Sequence, residues 1–299
     1  MAEQARVFVV TPVHNGVKHT MAFLASLQSQ TYQNVVVVIA DDGSTDDTTA
    51  RIQAEFPETI VLSGDGSLWW SGATNLGVKY ALENGADYVF TVNNDVELDP
   101  AVLTVLTKTA QDHDNNVLVG SVIYDESERT KVWYAGGAFD RRQGELVHQR
   151  QVQEGVMEPA WLTGMGVLVP KAAFTRVGLY DARHFPQYFG DADFSLRAKR
   201  AGFRLLVASG SQIYADTQSA WINKDFTKKP FGFLYQILFS IRSQYYVPAR
   251  VAFYRRYWPG NYAGALLKLY LWVLQERVIP FLKAKLKRFL QNIGAYPRG

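Results

Sequence analysis

Apolar and polar positions in the first half of the chain follow two alternating rhythms. "RVFVV" (6–10) and "VVVVIA" (35–40) are short, β-branched and almost wholly apolar, as strands buried on both faces are. Between them, "VKHTMAFLASLQSQ" sets Met21, Leu24 and Leu27 at helical spacing. Ser44 ahead of "TDDTTARIQAEF" predicts an N-cap, with Asp46 and Asp47 in the first turn. A short strand "IVLS", a Gly-rich loop "GDGSLWWSG" and a helix "ATNLGVKYALEN" follow. Then come the strand "DYVFTV", a helix opened by Asp99-Pro100 and the strand "VLVGSVIY". Strand–helix–strand repetition with short links predicts an α/β fold, a mostly parallel sheet with flanking helices.

From about residue 130 the rhythm changes. "KVWYAGGAFDRRQGELVHQR" reads as antiparallel hairpins with Gly turns, and "PAWLTGMGVLVP" as a loop and a strand. "GDADFSLRAKRAGFR" predicts a helix closed by Gly202, followed by the strand "LLVAS". Beyond Lys229-Pro230 the chain is helical, aromatic and basic, and no internal repeat occurs.

Apolar residues make up 47% of the 299, enough for a sizeable core. The absence of cysteine removes disulfides and cysteine-bound metal sites. No charged-then-apolar leader opens the chain, and no run of eighteen uncharged apolar residues occurs. Both points predict a cytoplasmic protein without a membrane-spanning helix. The net charge of +3 conceals a split: residues 1–223 carry −9 and residues 224–299 carry +12. This predicts an acidic globular body (1–223) and a basic helical tail (224–299) that meets something anionic, either nucleic acid or a phospholipid surface.

Open α/β sheets bind ligands at the carboxyl ends of their strands, where "TPVHNG", "DDGS" and "NND" fall. A carboxylate of Asp41 or Asp42 there could accept the imide N–H of a uracil or thymine ring; capping of the next helix accounts for the same residues. Asp95, with Asp99 nearby, suits a hard divalent cation that takes its other ligands from water and phosphate. A polar turn accounts equally for Asn93, Asn94 and Asp95. Asp191 and Asp193 open a helix whose dipole stabilises carboxylates, a place that also suits a general base acting on a sugar hydroxyl. Arg197 is spaced to pair with Asp193. Trp69 and Trp70 suit either the core or the apolar face of a sugar. The five histidines show no metal-ligand spacing, and no nucleophile elbow, P-loop or dinucleotide fingerprint occurs.

Six segments in order, "VVTPVHNG", "VVVVIADDGSTDDT", "GATNLGVKYAL", "FTVNNDVELDP", "WLTGMGVLVP" and "FGDADFSLRAKRAGFR", resemble the family 2 glycosyltransferases of the GT-A fold. The likeness covers roughly residues 6 to 215 and is greatest to the subgroup that transfers deoxysugars such as rhamnose to cell-surface polysaccharides. It implies inverting transfer from a nucleoside-diphosphate sugar, dTDP-rhamnose or a UDP-sugar, to a glycan or polyprenyl-linked acceptor. By position, Thr11, Pro12, Asp41 and Asp42 would meet the nucleotide. Trp69, Trp70, Asn75, Lys79, Asn93 and Asn94 would lie at the diphosphate and sugar. Trp161, Thr163, Gly164 and Asp193 would form the acceptor side, and Asp191 would be the base. Asp95 would hold a divalent metal, Mg2+ or Mn2+. Two departures stand out: Gly190 replaces the family's usual Glu, and "QIYADTQSA" lacks a metal-ligating His, for which Asp216 could substitute.

The tail mixes Leu, Phe, Tyr and Trp with Lys283, Lys285, Lys287 and Arg288. It reads as a helix lying on an anionic membrane at the inner face of the plasma membrane, with a packed helical cap or an oligomer interface as alternatives. Nucleic acid is not expected. Two other functions compete with transfer: a degenerate transferase that binds nucleotide or glycan without turnover, and a nucleotidyltransferase. The latter would carry a basic Gly-rich loop after the first strand, which "TPVHNG" lacks.

Overall fold

The computed structural model describes residues 4–140, 142, 145–217, 232–258 and 260–293. The chain divides into two compact units: residues 1–138 with 147–217, and residues 139–146 with the chain from 218 onward. The expected boundary at 223/224 lies outside the described residues.

In the first unit β1 (Val7–Val13), β2 (Val35–Asp41), β3 (Ile60–Ser63) and β4 (Tyr88–Thr91) run parallel in the order β3-β2-β1-β4. Val7 to Val10 have no exposed surface, so β1 is the centre of this half. The sheet continues through β11 (Val167–Pro170), β6 (Val117–Asp125) and β12 (Arg204–Ala215). Of these, β11 is antiparallel to both neighbours, while β6 and β12 are parallel to each other. Thus the sheet is mixed but mostly parallel, as the sequence rhythm predicts. β5 (Val96–Leu98) and β10 (Val156–Met157) pair antiparallel with β12, and β7 (Val132–Tyr134) with β6. β8 (Gly137–Asp140) and β9 (Glu145–His148) form a separate two-stranded ribbon.

The crossover helices are α1 (Val17–Gln28), α2 (Thr48–Glu55), α3 (Trp69–Glu83) and α4 (Val102–Gln111). α5 (Lys171–Val177) and α6 (Gly190–Arg200) follow. Three expected starts are corrected. α2 begins at Thr48 with Asp47 at the cap, not Ser44, because the Asn15 side-chain oxygen accepts the amides of Thr45 and Asp46 and keeps this stretch as a loop. Ser44 Oγ instead accepts the Asn15 amide. α3 begins at Trp69, so both tryptophans belong to its first turn rather than to the loop. α4 begins at Val102, since Asp99 Oδ1 takes the Ala101 amide and holds Asp99-Pro100 as a turn ahead of it.

In the second unit the helices are α7 (Phe233–Phe239), α8 (Val247–Tyr257), α9 (Tyr262–Val273) and α10 (Ile279–Asn292). Arg250 of α8 is buried: it donates to Gln244 O and Tyr254 Oη, and lies 3.6 Å from the Glu145 carboxylate. A five-residue π-turn (Leu274–Val278) joins α9 to α10 without a break. Pro280 gives the reason: it has no N–H, and its ring would strike the carbonyl one turn back in an uninterrupted α-helix.

Candidate functional site

Loops at the carboxyl ends of β1, β2 and β4 interlock. His14 Nδ1 lies 2.7 Å from the Asp42 carbonyl, and Asn94 Nδ2 donates to Thr20 Oγ1 at 2.9 Å. Asp41, buried at the end of β2, accepts the Ser44 amide on Oδ1 (2.9 Å) and the Thr49 hydroxyl on Oδ2 (2.5 Å). Asp42, also buried, accepts the amides of Gly66 and Trp69, each at 2.9 Å. Both carboxylates therefore shape their loops, and each oxygen keeps a second lone pair. Thr11 has no exposed surface; among the described residues, its Oγ1 is the buried side-chain polar atom without a hydrogen-bond partner. Pro12 beside it is partly exposed.

The bonds from Asp42 hold Trp69 at φ +57°, a left-handed conformation that a non-glycine residue rarely adopts. That sharp entry into α3 sets the direction of Trp70. Its indole Nε1 donates to Asn93 Oδ1 at 2.8 Å, and its ring meets Tyr180 edge-on at 5.4 Å. The same ring lies so close to Gly164 that no Cβ would fit there. Gly164 donates its amide to Asp191 Oδ2 at 2.8 Å, and Thr163 Oγ1 lies 3.4 Å from the same oxygen. Asp191 Oδ1 accepts the Ala192 amide at the start of α6. Asn93, Trp70, Gly164, Thr163 and Asp191 thus form one connected constellation.

Asp191 is only partly exposed, and loss of solvent pushes its pKa up; the bonds from Gly164, Ala192 and Thr163 oppose this only in part. A carboxylate of raised basicity at a helix N-terminus, fixed by two backbone amides, has the character of a general base.

Gly190 stands beside it because of packing. A Cβ there would fall into the Ser71 hydroxyl, which donates to Phe185 O at 2.5 Å. Phe189 before it takes φ +71°, so the chain enters α6 as abruptly as it enters α3. Gln187 Oε1 accepts the Trp70 amide at 3.3 Å and the Ser71 amide donates to Pro186 O, which fastens this loop to α3.

Asp95 is exposed by area at a cleft of about 360 Å3 that also includes His19, Asn94, Glu97 and Glu126. The surrounding protein still crowds its carboxyl and pushes its pKa up, with a smaller push from nearby Asp216; its own backbone, His19 and Asn93 pull the other way. The charge of Asp216 thus reaches Asp95, and the Asp95 carboxylate is an oxygen donor of the kind a hard divalent cation takes. Among the described residues no three His, Asp or Glu side chains converge on a metal position. The donors present fit an ion completed by water and phosphate oxygens, not one enclosed by protein.

Other expected site residues have structural partners. Asn75 bonds the backbone of Tyr180 twice, giving to its carbonyl and taking from its amide, both at 2.9 Å. Lys79 is exposed on α3. Asp193 is fully buried and paired with Arg197 at 2.8 Å, and Arg197 also holds the carbonyls of Val177 and Leu179. Trp161 is buried, with Nε1 on Ala138 O at 3.0 Å. Sequence reasoning missed Tyr134, whose hydroxyl accepts the Thr163 amide and donates to Trp161 O, fixing the strip that holds Asp191. His148, packed 4.4 Å from Trp133 and 5.7 Å from Trp161, was missed as well. Nothing in the local sequence marks either, because their partners are distant in the chain.

The described residues thus form an α/β sheet with polar clusters at its strand ends and, at a helix start, a carboxylate whose pKa burial raises. The pattern of glycosyl transferase family 2 matches residues 8–181. The chain therefore belongs to that family, and is a glycosyltransferase of the GT-A fold. It is 25% identical over 228 residues to an N-acetylglucosaminyl-diphospho-decaprenol L-rhamnosyltransferase of Mycobacterium tuberculosis, covering 69% of this chain and 74% of that one. Its fold is similar to GalNAc-T7, solved with UDP, GalNAc and Mn2+ (TM-score 0.62, 14% identity, 93% of this chain and 57% of that one). It is also similar to S. aureus TarS 1–349, solved with UDP-GlcNAc (TM-score 0.50, 20% identity, 70% and 58%). The chain thus spans a little over half the length of these solved chains. Among the described residues, no helix is long and apolar enough to cross a membrane.

Proposed function

We propose that the protein transfers a sugar, with inversion, from a nucleoside-diphosphate donor to a hydroxyl of a glycan or polyprenyl-linked acceptor. The rhamnosyltransferase relative favours a rhamnose donor such as dTDP-rhamnose, and the UDP and UDP-GlcNAc of the solved neighbours favour a UDP-sugar. Residues 1–138 with 147–217 form the catalytic body, and the basic segment from 224 onward works at the inner face of the membrane. The observation that carries the reading is Asp191, held on Oδ2 by Gly164 and of raised basicity, against a tryptophan bonded to the "NND" stretch.

Asp191 takes the proton of the acceptor hydroxyl as its oxygen attacks the anomeric carbon, opposite the departing nucleoside diphosphate. Thr11, Pro12, Asp41 and Asp42 build the floor beneath the nucleoside. Asn93 and Trp70 hold the donor side, and Trp161, Thr163 and Gly164 the acceptor side. Asp95, with Asp216, would hold Mg2+ or Mn2+. A bound divalent ion would supply neutralisation of charge on the leaving phosphate. Most of the acceleration comes from positioning and charge stabilisation.

Incubation with a panel of nucleotide sugars should release nucleoside diphosphate from at least one of them. Asp191→Asn should lower that rate by about 100- to 10,000-fold. Full activity in Asp191→Asn would remove the residue as base. A thermal-shift series with UDP and dTDP, with and without Mn2+, should give an increment that needs the metal and that Asp95→Ala abolishes. Gly190 in place of the family's Glu favours a second reading, nucleotide binding without turnover. Calorimetric binding with no transfer to any acceptor would favour it.

A further inference from the structure

The continuous helical rod from Tyr262 to Asn292 carries an exposed apolar line that the family reading does not explain. Its members are Leu267, Leu271, Leu274, Ile279, Leu282, Leu286, Phe289 and Ile293, with Leu267 62% and Phe289 59% exposed. Successive members lie three or four residues apart, the spacing of a single helix face, except for one step of five between Leu274 and Ile279. In an uninterrupted α-helix five residues would turn Ile279 about 140° away from Leu274. That step falls on the π-turn, where the Ile279 amide bonds the Leu274 carbonyl, so one residue stands above the other. The extra residue of the π-turn therefore joins two short apolar lines into one about 40 Å long. The buried face obeys the same offset: Leu266, Leu269 and Val273 precede the turn and Phe281 follows it.

The charges follow the line. Residues 262–293 hold six Lys/Arg against the single Glu276. At 100° per residue, Lys283 and Lys287 border the line on one side and Lys285 on the other. Lys283 and Lys287 are exposed. A second copy would set two basic faces against each other, and nucleic acid would have no use for eight exposed apolar side chains. An anionic lipid surface satisfies both features, because acyl chains receive the apolar line and headgroups receive the lysines.

We propose that this stripe, aligned by the π-turn, rests in the headgroup layer of an anionic membrane. The proposal deepens, and in that sense rests on, the reading of a transferase that meets a lipid-linked acceptor. The test is sedimentation of the full chain with phosphatidylcholine vesicles and with vesicles containing roughly one third phosphatidylglycerol, alongside donor hydrolysis in solution. Wild type should pellet with the anionic vesicles alone. Lys283→Gln/Lys287→Gln should lower partition about thirtyfold, and Leu286→Glu/Phe289→Glu by at least about tenfold, with donor hydrolysis unchanged in both. Wild type left in the supernatant with anionic vesicles, or variants that bind as wild type does, would overturn the stripe while intact hydrolysis leaves the transferase reading standing. Vesicle binding without donor hydrolysis by any nucleotide sugar would support the stripe and count against the transferase. A wild-type dimer that Leu286→Glu/Phe289→Glu makes monomeric, without vesicle binding, would assign the stripe to a second copy and also overturn the proposal.

Discussion

The indole nitrogen of Trp70 donates to the side-chain oxygen of Asn93 across 2.8 Å, joining the first turn of α3 to the stretch that follows β4. Asn93 is thereby oriented as an acceptor toward the protein, which leaves its amide hydrogens for other partners. Trp70→Phe should keep the ring contacts with Gly164 and Tyr180 and lose the bond, raising the donor KM several-fold with little change in melting temperature. Asn93→Ala should do the same. Because both remove one bond, the double variant should be no worse than the worse single one, a non-additivity that steady-state kinetics reads directly.

Burial raises the pKa of Asp191 in the folded protein. A base works only when deprotonated, so the acidic limb of the kcat/KM profile for transfer should lie above the ordinary carboxylate range, with activity rising as pH rises through it. Thr163→Val removes the hydroxyl near Oδ2, one of the contacts that lower this pKa. The limb should move to still higher pH in that variant, and a limb that stays in place would detach it from Asp191.

At Gly190 the constraint is space. Gly190→Ala should cost about 1–3 kcal/mol in chemical denaturation, because its Cβ meets the Ser71 hydroxyl. Ser71→Ala should recover part of that loss in the Gly190→Ala background while being unfavourable alone, since it also removes the bond to Phe185 O.

His148, set among Trp133, Tyr134 and Trp161, has its pKa lowered to about 4 by burial, with a smaller push from Arg150. The folded state thus keeps it neutral while the unfolded chain protonates it near 6.5, so its share of stability is present above that value and is lost as pH falls toward 4. The full loss amounts to about 3 kcal/mol. His148→Leu should show a shallower fall in melting temperature between neutral pH and pH 5 than wild type.

The alternating rhythm of strands and helices, and the polar clusters at strand ends, were legible from residues 6 to 125, because strand and helix periods are local properties. The antiparallel placement of β11 between β4 and β6 was not, since an apolar run of four residues carries no direction. Among the site residues, "DDGS" and "NND" announced themselves by composition. Which oxygen meets which amide did not: Asp42 reaches Gly66 and Trp69, and Gly164 reaches Asp191, between residues more than twenty positions apart in the chain.

Local spacing is enough for the α/β class, the position of the polar ends, Asp191 at a helix start, and the basic, aromatic tail. Tertiary structure alone decided that Asn94 bonds Thr20 and Asn93 bonds Trp70, that Asn75 and Asp193 are taken by Tyr180 and Arg197, and that Gly190 has no room for a side chain. Spacing fixes which face of an element a residue occupies, but the partner on the other side comes from a distant part of the chain, and close packing chooses among polar residues that look alike in sequence.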